Sequence, residues 1–242
     1  MTKPPIGQAP GKREQVEAMF DDIAPRYDLL NRLLSFGIDV RWRKKAVALL
    51  GDALQGTPDR LLDVATGTAD LAVEALSLGP REVVGVDISD GMLQGGRVKL
   101  SKRGLEGRVT LVQGDAADLP FDDDSFDGAF VAFGVRNFED LQAGLGGIRR
   151  VLRPGAPLVV LETSQPTSSL VKQGYQVYAR HIMPRLGKAI SGNAEAYEYL
   201  PESAREFPYG EAFLAEMRAA GFTDGLDKPQ TFGVASLYRG LA

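Results

Sequence analysis

Leu61-Leu62-Asp63-Val64-Ala65-Thr66-Gly67-Thr68-Ala69-Asp70 is a short apolar strand that runs straight into a loop of small residues. The loop opens an apolar-periodic stretch, Leu71, Ala72, Ala75 and Leu76, and a second apolar strand, Val83-Val84-Gly85-Val86, ends on Asp87. Strand, small-residue loop, helix, strand and terminal acid make half of a nucleotide-binding βαβ unit. Gly67 lets the backbone approach a ligand closely, and Asp87 can accept hydrogen bonds from two ribose hydroxyls.

Outward from this unit the rhythm repeats. Strands are expected at 60–65, 82–87, 108–113, 126–133 and 156–163, with helical stretches at 68–78, 90–103 and 139–152. Alternating β and α elements predict a mostly parallel, doubly wound sheet. A helix at 210–220, closed by Gly221, precedes strands near 222–228 and 231–240. No helix fits between those two, so they should form a hairpin with one strand antiparallel. Residues 165–207, bounded by prolines and rich in tyrosine, break the rhythm and read as an insertion over the carboxyl edge, with a helix at 169–182.

Before the sheet, Val16, Met19, Phe20 and Ile23 recur at helical spacing over 12–23, and Pro25 stops that helix. A second helix is expected at 39–50, then a linker to Asp59. Residues 1–11 read as a flexible tail and 12–242 as one domain, its helices at 12–50 forming a lid.

Composition narrows the function. A net charge of −4 and a pI near 5.2 argue against a nucleic-acid partner. There is no cysteine, and His181 is the only histidine, so thiol catalysis and thiolate or polyhistidine metal sites are excluded and no metal is expected. With no signal-peptide apolar region and no run long enough to span a membrane, the expectation is a soluble cytoplasmic enzyme.

The loop is not G-x-G-x-x-G. Asp63 and Asp70 beside it would repel a pyrophosphate and suit a ligand carrying an amino group and a sulfonium. S-adenosylmethionine fits: Asp63 and Thr66 near the methionine part, Gly67 in the loop, Asp87 on the ribose. Asp115, at the end of a third strand, would accept from the adenine amine while the Ala116 N–H donates to a ring nitrogen. Each acid alone could be a helix cap or turn residue; the joint pattern at successive strand ends is what points to the cofactor.

These three features resemble the class I S-adenosylmethionine-dependent methyltransferases, whose sheet has seven strands, one antiparallel. The usual first and third loop glycines are here Ala65 and Ala69. The flanks are more specific. Met19-Phe20-Asp21-Asp22-Ile23-Ala24-Pro25-Arg26-Tyr27-Asp28, Phe133-Gly134-Val135-Arg136-Asn137-Phe138, Arg150-Val151-Leu152-Arg153-Pro154-Gly155 and Tyr197-Glu198-Tyr199-Leu200-Pro201-Glu202-Ser203 resemble the ubiquinone/menaquinone biosynthesis C-methyltransferases.

That resemblance implies methyl transfer from S-adenosylmethionine to a ring carbon of a polyprenylated quinol. Demethylmenaquinol is the expected acceptor; a methoxy-polyprenyl-benzoquinol or another lipid-like acceptor is the alternative. It further implies that Arg136 stabilises a developing oxyanion, that Asn137 orients the quinol oxygen and that Tyr27, with Asp28, comes down from the lid. Glu162 reads as a cap and His181 as non-catalytic. Leu170, Val171, Tyr175, Val177, Tyr178, Ile182, Met183 and Ile190 would line a channel for the prenyl tail. Arg41, Arg43, Lys44 and Lys45 form a solvated helix face or a peripheral membrane contact at the inner face of the membrane. That Arg136 and Asn137 merely pin a loop, and that the protein is a homo-oligomer, are left open.

Overall fold

The computed structural model describes residues 11–166, 168, 173, 174, 199 and 203–242. Its elements, in chain order, are α1 (Lys12–Ile23), α2 (Tyr27–Leu34), α3 (Ile38–Ala53), β1 (Arg60–Val64), α4 (Asp70–Ala75), β2 (Glu82–Asp87), α5 (Asp90–Arg103), β3 (Val109–Gln113), β4 (Gly128–Ala132), α6 (Leu141–Val151), β5 (Pro157–Thr163), α7 (Glu211–Ala219), β6 (Thr223–Gln230) and β7 (Ala235–Leu241).

The strands form one seven-stranded sheet in the order β3-β2-β1-β4-β5-β7-β6. β1 to β5 pair in parallel, and β7 runs antiparallel to both β5 and β6. The terminal strands thus pair as a hairpin with one strand reversed, as their spacing requires. The central strands read as unbroken apolar runs because helices cover both faces. Leu61, Phe130 and Val159 pack with α3 and α4 on one face; Leu62, Val131 and Val160 pack with α6 and α7 on the other. Strand order reverses at β1, and the crevice beyond its carboxyl end is where such sheets bind ligands.

Several boundaries differ from the sequence reading, each for a local reason. A helix, α2, occupies 27–34, where a break was expected. Pro25 sits inside a short 3-10 turn at Ala24–Arg26, at a first-turn position where its missing N–H costs nothing, so helix resumes at Tyr27. α3 extends to Ala53, into the expected linker. α4 begins only at Asp70, because Ala69 is left-handed at its N-cap. β4 is confined to 128–132; Phe126 makes only an isolated bridge to Leu152. The expected tail at 1–11, apart from Gly11, and the expected helix at 169–182, apart from Gln173 and Gly174, lie outside the described residues. So do the eight apolar channel residues and His181. Among the described residues no helix is long and apolar enough to cross a membrane.

Candidate active site

The loop after β1 is built by two non-glycine residues in the left-handed region, Ala65 (φ 53°) and Ala69 (φ 67°), with Gly67 (φ 55°) between them. The Thr66 N–H donates to the Val86 carbonyl of β2 (3.0 Å) and the Ala69 N–H to the Thr66 carbonyl (2.9 Å), so backbone bonds both close the turn and tie it to β2. Across the crevice the turn after β4 comes close enough that a Cβ on Gly134 would lie 2.3 Å from the Ala65 Cβ. The two loops touch without room for one more methyl.

Asp87 ends β2 with both carboxylate oxygens engaged: Oδ2 accepts from the Gly67 N–H (2.8 Å) and Oδ1 from the Ser89 N–H (2.9 Å). The first of these bonds tests what the loop can hold. In a pyrophosphate-binding loop that amide would face a phosphate; here a carboxylate takes it. The donor set therefore suits an adenosine with a cationic tail and disfavours a dinucleotide. Burial pushes the Asp87 carboxyl up to about 6, against the opposing N–H donors of Ser89 and Gly67.

Asp63, near the end of β1, is almost fully buried and accepts from the Thr66 hydroxyl (2.6 Å). Burial pushes its carboxyl up to about 7, the Thr66 hydroxyl opposing. Asp63 and Thr66 stand behind the loop and Gly67, Asp87, Asp115 and Ala116 line the cleft itself. Asp115 accepts from the Ala117 N–H (2.9 Å) and pairs with Arg13 of α1 (3.3 Å).

The cleft is a crevice, partly open to solvent, between β1, β2, β4 and the N-terminal helices. Tyr27, Phe20 and Val16 form its upper wall, with Phe133, Gly134 and Asn137 opposite. Tyr27 is half-buried; burial raises its phenol, Asn31 and Arg136 opposing. The Asn137 Oδ1 accepts from the Tyr199 hydroxyl (3.2 Å).

Arg136 does not line the cleft. Its guanidinium turns to Glu162 on β5 (Nη1 to Oε1, 2.5 Å), and both side chains are buried. Burial disfavours the guanidinium's charge, but Glu162, with Tyr27 and Tyr199, outweighs this and its pKa lies above the ordinary value. Glu162 thus answers Arg136, a role the cap reading missed. The available signal was a carboxylate directly after the apolar run Val159-Val160-Leu161, which cannot be buried without a partner.

Other participants were not legible. Asp21 of α1 accepts from the Ser89 hydroxyl (2.6 Å) and the Gly91 N–H (3.0 Å), and Lys12 donates to the carbonyls of Phe138 (2.6 Å) and Arg136 (3.3 Å). Lys99 joins Asp28 of α2 (2.7 Å), Asp70 and Thr68 (2.9 Å), so the N-terminal helices and the cofactor loop share one cation. Of the basic run on α3, Arg43 turns inward to Asp39 (2.8 Å) and Asp70 (3.2 Å), and Lys45 donates to Gln230 (2.6 Å). Arg41 and Lys44 remain on the exposed face.

The reversed last strand, the glycine-poor loop and the carboxylates at successive strand ends define a class I S-adenosylmethionine-dependent methyltransferase. Residues 9–242 match the ubiE/COQ5 methyltransferase family, and the chain belongs to it. The demethylmenaquinone methyltransferase of Thermus thermophilus is 51% identical over 223 residues, covering 92% of this chain and 99% of the relative. That of Porphyromonas gingivalis is 46% identical over 232 residues, covering 95% and 94%. Among solved structures, a SAM-dependent methyltransferase from Aquifex aeolicus superposes with a TM-score of 0.58 at 17% identity, covering 82% of this chain and 88% of that one. At that identity the likeness speaks for the fold alone.

Proposed function

We propose that the protein methylates a ring carbon of demethylmenaquinol, with S-adenosylmethionine as the methyl donor. The observation that carries this reading is the 51% identity to a demethylmenaquinone methyltransferase across 99% of that relative's length. An acidic, phosphate-averse cofactor loop facing an aromatic wall supports it.

Asp87 would hold the ribose hydroxyls, Asp115 the adenine amine and the Ala116 N–H a ring nitrogen. Asp63 and Thr66 would support the loop from behind, with Gly67 giving the backbone its close approach. When bound, the cofactor supplies an activated methyl group on a sulfonium with a good leaving group. Rate then depends on placing the acceptor carbon in line and on making it nucleophilic. Ionising the hydroxyl next to that carbon pushes charge onto it. Asn137, fixed by the Tyr199 hydroxyl, would orient the quinol oxygen; Tyr27 closes the wall above it, and Arg136 sits behind as a buried cation. α1 and α2, which contribute Val16, Phe20 and Tyr27 to the cleft wall, would help to shut water out.

A prenylated quinol resides in a bilayer, so the enzyme must meet a membrane surface. Leu29 and Leu33, exposed one turn apart on α2, together with Arg41 and Lys44 on α3, would make that peripheral contact.

The test is an assay with methyl-labelled cofactor and a short-tailed demethylmenaquinol under reducing conditions. Label on the ring carbon is expected. Transfer only to a methoxy-polyprenyl-benzoquinol, or to neither, would refute the menaquinol reading.

A further inference from the structure

Glu162 is completely buried, near the end of a strand whose preceding residues are all apolar. Its Oε1 accepts from Arg136 Nη1 (2.5 Å), the Thr163 N–H (2.7 Å) and the Thr163 hydroxyl (3.1 Å), and its Oε2 from the Arg136 backbone N–H (3.5 Å). A buried ion pair is a poor device for stability, because desolvating both charges cancels most of their attraction. Well-packed apolar residues would hold β5 against the turn at least as firmly.

A second observation points away from a purely structural pin. The Nε–H of Arg136 is buried and has no hydrogen-bond partner among the described residues. Leaving such a donor unmade is costly. The only other such atom among the described residues, Arg239 Nε, sits on β7 toward the opposite edge of the sheet. Arg136 lies instead on the turn Val135–Asn137, whose neighbours Gly134, Asn137 and Phe138 all line the cleft. Charged and titratable groups around the guanidinium come from three other elements: Glu162 on β5, Tyr27 on α2 and Tyr199.

We infer that Glu162 is a positioning residue for methyl transfer, holding the Arg136 side chain just behind the cleft wall so that its spare Nε–H is kept for an oxygen of the acceptor ring, reached through one bridging water. The carboxylate fixes the guanidinium by one edge and neutralises it, so that Arg136 supplies a directed donor and no net charge. This deepens the quinol reading and rests on it.

The test compares the unsubstituted protein with Glu162→Gln, Arg136→Met and the double variant. kcat with demethylmenaquinol and the cofactor Kd are measured for each. The Arg136 Nε–H is followed by nitrogen-15 NMR, its signal assigned by its loss in Arg136→Met. Glu162→Gln should lower kcat about a hundredfold and leave the cofactor Kd within about twofold. The Nε–H, slow to exchange in the unsubstituted protein, should then exchange fast. In the Arg136→Met background the same substitution should change kcat no further, because its effect runs through Arg136.

Unchanged kcat in Glu162→Gln, or an equal loss in both backgrounds, overturns the inference. If Glu162→Gln alone does not fold, Arg136→Met and the double variant, in which no buried charge is stranded, still decide: equal kcat supports the inference and a further loss overturns it. A protein that methylates no quinol, yet holds its Nε–H until Glu162 is replaced, overturns the quinol reading while the positioning role stands.

Discussion

At the scale of single residues, the cofactor loop works at the limit of available space. Ala65 occupies a left-handed conformation that costs an alanine about 1 kcal/mol, and Gly134 must lack a side chain to pass it. Gly134→Ala is therefore expected to destabilise the fold by about 2 kcal/mol and to weaken cofactor binding. Ala65→Gly should rescue it, since it removes the clashing methyl and relaxes the strained φ; urea denaturation of the two single variants and the pair checks this. The buried acids make a second residue-scale prediction. Asp63 binds its proton more tightly folded than unfolded, so stability is lost as pH rises from the ordinary carboxylate range to about 7. Asp63→Asn should thus stabilise the cofactor-free protein at pH 8, by on the order of 2–4 kcal/mol, and give no gain at pH 4. Thermal melts at the two pH values read the difference. In the proposed role Asp87 would act on binding: it would have to be ionised to accept two ribose hydroxyls. Cofactor affinity should fall roughly tenfold per unit as pH drops below about 6. Calorimetry across that range, with Asp87→Asn as the flat control, would show it.

At the scale of elements, the N-terminal helices are tied to the sheet by charge and hydrogen bonds as much as by apolar contact. Val16, Met19 and Ile23 of α1 pack with Met92 and Tyr199, and Asp21 reaches the first turn of α5. α2 is held through Asp28 to Lys99, which also serves Asp70 and Thr68 of the cofactor loop. Burial raises the Asp70 carboxyl, but Lys99 and Arg43 outweigh it and hold the group below its usual range. Its favourable contribution is therefore present at neutral pH and fades as pH falls through that lowered value. Lys99→Met should cost about 1–2 kcal/mol at pH 7, the half-exposed carboxylates being partly screened, and the cost should shrink in acid. Because Lys99 bridges α2 and the cofactor loop, the same variant should also weaken cofactor binding; an Arg43→Met variant, which leaves Asp28 held, should weaken it less. This much of the fold was legible from spacing: the alternating elements, the hairpin and the helix at α1. α2 was not, because Pro25 reads as a stop along the chain and acts as a start once the 3-10 turn places it in a first turn.

At the scale of the whole molecule, the cofactor cleft is roofed by α1. Arg13 pairs with Asp115, and Lys12 donates to carbonyls of the turn after β4. On the proposed lid role, α1 would lift for the ligand to enter and a bound ligand would secure it. Saturating S-adenosylhomocysteine, the reaction's product, should slow hydrogen exchange in α1 several-fold while leaving β1 and β4, already at the centre of the sheet, unchanged. Equal protection everywhere would mean global stabilisation and no lid.

The chain's own sequence determined the doubly wound sheet, its reversed final strand and the kind of cofactor the loop at 65–69 accepts. These follow from neighbours in the chain: apolar periodicity selects strand or helix, and acids at a strand's end sit at the carboxyl edge wherever the strand lies. The sequence also placed Asp87, Asp115 and Asn137 in the cleft. Only the tertiary structure decided which charges meet. Arg136 and Glu162 are 26 positions apart and Lys99 and Asp28 are 71 apart; both pairs exist because β5 lies beside β4, and α5 packs against α1 and the turn that leads into α2. A charged side chain finds its partner through packing, and packing brings together segments whose separation along the chain carries no period to read.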